Sequence, residues 1–394
     1  MSPGASRTRR SSQMSLPEAK QPSKRSRATS SPRRSKALEE APARICVVGV
    51  GGGGCNAIIR MLKAKSIPGV KYVGVNTDLK SLGQMRDSEI LQIGESLTRG
   101  MGAGGVPEVG GQAAEADRKK LREILKGPDL VFLAAGMGGG TGTGAAPVVA
   151  DVAKKVGALV VAVVTTPFSF EGIRRQETAL NGVSGLRDCV DNVIVIHNDR
   201  LLHLFGNEDV SMEEALRRAD DAVMLGVLSV AELVNVPGEI NVDMADVKSI
   251  MKLPGRALMA IGEGKGPGGA LEAARQAVSN PLLDLAIDGA RGVLFNVTGG
   301  RSLKLSEVNA TGEFISSRVD PRAMIFFGMG NEPSWKDRVR VTLIATGIPE
   351  GSDPGYGDST NLASVLRGTD PSAGSLDLDV PPFLRRPDLF RGRY

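Results

Sequence analysis

Histidine, cysteine and tryptophan are nearly absent from this chain of 394 residues: it has two His (His197, His203), three Cys (Cys46, Cys55, Cys189) and one Trp. So few histidines argue against a histidine-based metal centre. Three cysteines with no C-x-x-C spacing exclude a disulfide scaffold and a cysteine-rich zinc site, and neither histidine shares a recognisable motif with a cysteine. Long apolar runs are missing as well. A run such as 158–164 falls far short of the ~18 residues of a membrane span, which excludes an integral membrane protein. Aromatic residues make up 4% of the chain, so the core must be built from Ala, Val, Leu and Ile. Acidic charge is scarce at the start: residues 1–40 carry ten Lys/Arg against three Glu, a net of +7. The whole chain is +5, which leaves −2 for the remainder. A nucleic-acid-binding body is therefore not expected.

The basic segment is rich in Ser, Arg, Lys and Pro and cannot bury enough apolar surface to order itself. Residues 1–43 read as a disordered arm. An electrostatic contact with anionic lipid or nucleic acid, or a transit peptide, are the other readings such a composition allows.

What the chain has in quantity is glycine, 50 residues of it. Short β-branched runs at 45–50, 70–75, 130–135, 158–164 and 193–196 read as buried strands separated by helices, which implies a mostly parallel sheet covered on both faces. A helix is expected to open at Ala57, and another at Ala145 with Pro147 in its first turn. Residues 211–236 read as one long helix, started by the Ser211/Glu214 capping box and stopped by Pro237-Gly238. Beyond it come expected helices at 246–262 and 270–278, and strands at 292–298, 323–329 and 338–345. Residues 348–376 read as a Gly/Ser/Asp/Pro-rich linker.

Three glycine-rich loops, 49–54, 100–105 and 138–144, each lead toward a helix. Glycine lets backbone N–H groups approach an anion closely, and a helix N-terminus adds positive potential. Three such loops in one domain argue for a polyphosphate ligand. Gly49-x-Gly51-x-x-Gly54 also fits a dinucleotide fingerprint, with Asp78 as its ribose acid, so an NAD-dependent oxidoreductase is a rival reading. A Walker-type loop is excluded because no Gly-Lys-Ser/Thr follows any of these glycines.

The run Gly138-Gly139-Gly140-Thr141-Gly142-Thr143-Gly144, with 134–137 before it and Ala145-Ala146-Pro147 after it, resembles the signature loop of the tubulin superfamily, and of FtsZ-like division GTPases in particular. The resemblance runs over about 44–347, with a further match at 377–386. It implies an α/β fold: a Rossmann-like parallel-sheet GTP-binding domain (44–210), a long central helix (211–237) and a smaller α+β domain (238–347). A linker (348–376) and a partner-binding peptide (377–394) would follow.

The same resemblance implies the site. GTP or GDP, with Mg²⁺, would be held by Gly52, Gly53, Gly54, Cys55 and Asn56 and by Gly140, Thr141 and Gly142. Ala103, Gly104 and Gly105 would sense the γ-phosphate. Glu171 and Arg175 would lie at the ribose, and Asn198 at the base or ribose. Asp220, or its neighbour Asp221, would accept from guanine N1–H and the amino group, which adenine lacks. Leu216 stands where the family often stacks an aromatic ring. Asn241, Asp243 and Asp246 match the family's synergy loop, which completes the neighbouring subunit's site; the two acids would orient the attacking water. No protein ligands for a metal are assigned. An N-cap is the alternative reading of Asp243 and Asp246. Head-to-tail contacts that do not close would give filaments. The peptide 377–386 would dock membrane-tethering division proteins. The expected setting is the cytoplasm at the division site, or the plastid stroma if the arm is a transit peptide. A non-hydrolysing tubulin-like scaffold is a further alternative.

Overall fold

The computed structural model describes residues 43–349 apart from 65–66, 68, 204–210, 236–239, 241, 280–285, 301–302 and 333. The expected arm, nearly all of the linker and the 377–386 motif lie outside the described residues.

Strands β1 (Ile45–Val50), β2 (Val70–Asn76), β3 (Glu89–Gln92), β4 (Leu130–Gly136), β5 (Leu159–Thr166) and β6 (Asn192–His197) come first, followed by β7 (Arg256–Lys265), β8 (Gly292–Gly299), β9 (Met324–Asn331) and β10 (Arg338–Ile348). The helices are α1 (Gly51–Ala64), α2 (Leu79–Leu82), α3 (Glu95–Thr98), α4 (Pro107–Ala116), α5 (Arg118–Ile124), α6 (Thr141–Lys155), α7 (Ile173–Arg187), α8 (Asn198–His203), α9 (Met212–Asn235), α10 (Met244–Met251), α11 (Gly269–Val278) and α12 (Leu305–Ser316).

Among the described residues the strands form one sheet in the order β3-β2-β1-β4-β5-β6-β7-β10-β8-β9. From β3 to β6 every pairing is parallel. β10 lies antiparallel between β7 and β8, and β9 closes the edge parallel to β8. The two halves join through a single residue pair, Ile194 with Ala257. Strands β1, β4 and β5 are buried on both faces, and so their sequences are nearly unbroken apolar runs. Successive residues serve opposite faces: Val47, Phe132 and Val161 meet Ile58 of α1 and Val227 of α9, whereas Val48, Leu133 and Val160 meet Val149 of α6 and Leu186 of α7. A third core joins α11 and α12 to β7, β8 and β10 through Ala273, Phe295, Ile315 and Val341.

Three expectations change. The helix expected at 246–262 ends at Met251, and 256–265 is strand β7. Gly255, at φ 128°, breaks the chain there. A Cβ on Gly262 would lie 1.9 Å from Ala273 O, and one on Gly264 2.0 Å from Gly269 O. Both glycines therefore let α11 rest directly on the sheet, and only an extended backbone puts them on one face. The other two changes are helix starts: α1 begins at Gly51 rather than Ala57, and α6 at Thr141 rather than Ala145, with Pro147 inside it.

The long helix runs as expected through its described length. Glu214 N donates to Ser211 Oγ at 3.2 Å, while the Glu214 carboxylate pairs with Arg217 and Arg218 instead of closing the box. Along the β7–β10 pairing, the guanidinium carbons of Arg338 and Arg340 stand 5.1 and 5.0 Å from the ring centroid of Trp335. Both arginines also bond Glu263 of β7.

Candidate functional site

The glycines after β1 divide into two kinds. Gly51 turns the chain at φ 71°, and a Cβ there would lie 2.7 Å from Gly142 N; one on Gly54 would lie 2.2 Å from Ala134 O. These two are buried packing glycines. Gly52 and Gly53 are exposed and line a cleft at the C-terminal ends of the parallel strands. Cys55 is buried behind them, with its Sγ donating to Gly49 O at 3.7 Å. Burial pushes its thiol up to about 12, so it is neutral near pH 7.

The signature loop is built the same way. Gly138 sits at φ 92° and its N–H bonds Thr143 Oγ1 at 2.9 Å. Gly140 caps α6, and a Cβ there would lie 2.8 Å from both Ala103 Cβ and Val106 N. A Cβ on Gly144 would lie 1.8 Å from Pro107 O. The signature helix is thus seated on α4 backbone to backbone. The third loop follows helix α3 rather than a strand; Gly100, Gly102, Gly104 and Gly105 all take positive φ.

One cleft of about 400 Å³ gathers these pieces. Its lining includes the expected Gly52, Gly53, Ala103, Gly105, Gly140, Thr141, Gly142 and Arg175, together with Asn76, Asp78, Gly136 and Gly139. The first turns of α1 and α6 face it with main-chain N–H groups that have no intrahelical partner. Asn76 and Asp78 were missed as lining residues of a triphosphate site. Asn76 is buried, and its Oδ1 accepts from Thr77 N at 2.8 Å; Asp78 caps α2 by accepting from Lys80 N at 2.9 Å. A buried asparagine ending an apolar strand was the available signal.

The other expected residues lie off this lining. Gly54 and Cys55 are behind it, and Asn56 is exposed on α1 beyond it. Gly104, with nothing within 4 Å of a Cβ, stands between two lining residues. Glu171 is held by Phe168 N at 3.0 Å and by Arg175, its ion-pair partner. Asn198 is buried, and among the described residues its Oδ1 has no hydrogen-bond partner. Asp220 accepts from Arg60 Nε at 2.9 Å; burial pushes its carboxyl up while Arg60 pulls it back. Asp221 is 4.0 Å from Arg60 and 3.7 Å from Arg217. Asn241 lies outside the described residues. Asp243 is exposed and caps α10, with its Oδ1 accepting from Asp246 N at 2.7 Å. Partial burial and the neighbouring Asp243 raise the Asp246 carboxyl. The loop before them is pinned to β9 by Met329 N donating to Ile240 O at 2.9 Å.

Glycine-lined helix N-termini meeting over one cleft at the end of a doubly covered parallel sheet define a nucleotide-binding α/β protein. The Tubulin/FtsZ family GTPase domain matches residues 44–206, and the FtsZ family C-terminal domain matches residues 255–349. The empty FtsZ dimer of M. jannaschii is 42% identical over 79% of this chain and 90% of that one, with a TM-score of 0.75. CetZ2 from Haloferax volcanii, solved as a GTPγS-bound protofilament, shares the fold at 23% identity and a TM-score of 0.66, covering 78% of this chain and 94% of that one. The chain belongs to the FtsZ family and is a GTPase. This overturns the oxidoreductase and non-hydrolysing readings, and Asp78 is not a dinucleotide ribose acid. Among the described residues no helix is long and apolar enough to cross a membrane.

Proposed function

We propose that GTP lies in the cleft with its phosphates over the N-termini of α1 and α6, Ala103–Gly105 at the γ-phosphate, and Arg175 beside the sugar. Guanine would extend toward Asn198, whose buried Oδ1 has no partner among the described residues, and toward Asp220 or Asp221 once Arg60 yields. The chain assembles head to tail, and Asp243 and Asp246, supported by Asn241, complete the next subunit's site. Such filaments would form the division ring, tethered to the membrane by partners that bind 377–386. The domain boundaries given above and a location at the division site belong to the same reading.

One observation carries it. Among the described residues the only carboxylate lining the cleft is Asp78, which is engaged in capping α2. Hydrolysis needs a group to orient water. Two acids are held ready elsewhere, at the exposed start of α10. The hydroxyl and main-chain donors of the cleft suit a triphosphate, and Mg²⁺ bound with it would neutralise charge on the β- and γ-oxygens. No cluster of three or more His, Cys, Asp or Glu stands ready to hold an ion among the described residues, so the metal would sit mainly on phosphate and water.

A dilution series tests the shared site. Phosphate release per subunit should rise with protein concentration and vanish at high dilution. A constant specific activity would place the whole catalytic apparatus in one chain and refute the proposal.

A further inference from the structure

Under the cleft floor two hydroxyls meet. Thr77 Oγ1 and Thr141 Oγ1 are 2.6 Å apart and buried. Thr141 opens α6 and lines the cleft, whereas Thr77 is fully buried and does not. Among the described residues the Thr77 hydroxyl has no second partner.

Two hydroxyls carry two protons, and one bond between them uses one. If Thr141 donated, the Thr77 proton would be left buried without an acceptor, at the full cost of an unmade hydrogen bond. If Thr77 donates, the surplus proton belongs to Thr141, which faces the cleft. An anionic oxygen there would take it in a charge-assisted bond. Thr77 is held in this role from both sides of its backbone. Its N–H donates to Asn76 Oδ1 at 2.8 Å, and its carbonyl accepts from Thr98 Oγ1 at 3.4 Å, a hydroxyl that also bonds Gly94 O at 3.1 Å.

We propose that Thr77 is a positioning residue: its buried hydroxyl donates to Thr141 Oγ1 and so commits the Thr141 hydroxyl to donating to a phosphate oxygen. This rests on the reading that the cleft holds the phosphates of GTP.

The test is the dissociation constant of the full-length chain for GTPγS, measured below the concentration of assembly. Thr141→Ala should bind about tenfold more weakly, the size of one hydrogen bond to a charged group. Thr77→Ala should bind about threefold more weakly, and the double variant no more weakly than Thr141→Ala alone, because the two residues act through one bond. Thr77→Ser keeps the hydroxyl and should bind within about twofold of wild type, which a purely packing role for the threonine methyl would not give. Losses that multiply in the double variant, or a Thr77→Ser as weak as Thr77→Ala, would overturn the positioning role. So would an unaffected Thr77→Ala beside a weakened Thr141→Ala, with the phosphate reading left standing. An unaffected Thr141→Ala would remove the phosphate reading itself, and this proposal with it.

Discussion

Alanine at Gly144 and alanine at Gly52 should have opposite effects, although each adds one methyl to a glycine of the same cleft-forming loops. At Gly144 the new carbon would lie 1.8 Å from Pro107 O, 2.7 Å from Pro107 C and 2.8 Å from Gly111 N, all of them backbone atoms of α4. Ordinary carbon contacts begin at about 3.5 Å, so α4 must retreat by well over an ångström. Gly110 of α4 is itself seated under Gly140, where a Cβ would meet the carbonyl at 2.4 Å, so the retreat also loosens the signature loop. Alanine gains about 1 kcal/mol in helix propensity over glycine. Overpacking against backbone costs about 3 kcal/mol, the upper end of the usual range, because no side chain can rotate away. The balance is a loss of about 2 kcal/mol, which at about 2–4 °C per kcal/mol lowers Tm by about 4–8 °C. At Gly52 nothing lies within 4 Å of the new methyl, so stability should hold or rise slightly. That methyl, however, stands in the cleft. Calorimetry of the nucleotide-free chains and titration with GTP separate the two effects: Gly144→Ala melts early, whereas Gly52→Ala melts like wild type and loses affinity. A wild-type melting temperature for Gly144→Ala would refute the backbone seam, and unchanged GTP binding by Gly52→Ala would refute the placement of the phosphates.

Asp243 serves as an N-cap and is proposed as a catalytic carboxylate, and two substitutions separate these roles. Asp243→Asn keeps the cap, so it should retain thermal stability and GTP binding and lose turnover, whereas Asp243→Ala should also lose about 1 kcal/mol of stability; full turnover in Asp243→Asn would refute the catalytic role. A second pair supplies a pH test: Arg44 hydrogen-bonds Asp129 where β1 and β4 begin and holds that carboxyl below its usual value. A lowered native pKa contributes stability that is present above the ordinary carboxylate range and is lost as pH falls through the native value. The melting temperature of Asp129→Asn should therefore trail wild type at neutral pH and converge with it in acid, and a gap independent of pH would refute this account.

Much of the GTP-binding half was legible because its physics is local. Strands buried on both faces must be apolar throughout, and β1, β4 and β5 are. Glycine-rich loops signal close approach of backbone N–H groups to a ligand, and Gly52, Gly53 and Gly140, which the signature-loop resemblance implied, line the cleft. What was missed depends on residues far apart in sequence. Four successive glycines are poor helix formers, yet α1 starts at the first of them because Gly51 and Gly54 are locked against Gly142 and Ala134. Residues 258–261 suit helix or strand alike, and β10 decides between them by pairing alongside. The lining role of Asn76 and Asp78 follows from the β2–β1–β4 register, which no short motif reveals. The hold of Arg60 on Asp220 spans 160 residues.

The lone tryptophan, clasped by two guanidinium groups beside β7, makes the molecule's intrinsic fluorescence a one-ended instrument. Light emitted by Trp335 reports the surroundings of Arg338, Arg340 and Glu263 and nothing of the glycine-rich loops. Below the concentration of assembly, a change in that emission when nucleotide is added must therefore have travelled across the sheet, and a silent indole would mean that the β7–β10 seam does not register occupancy.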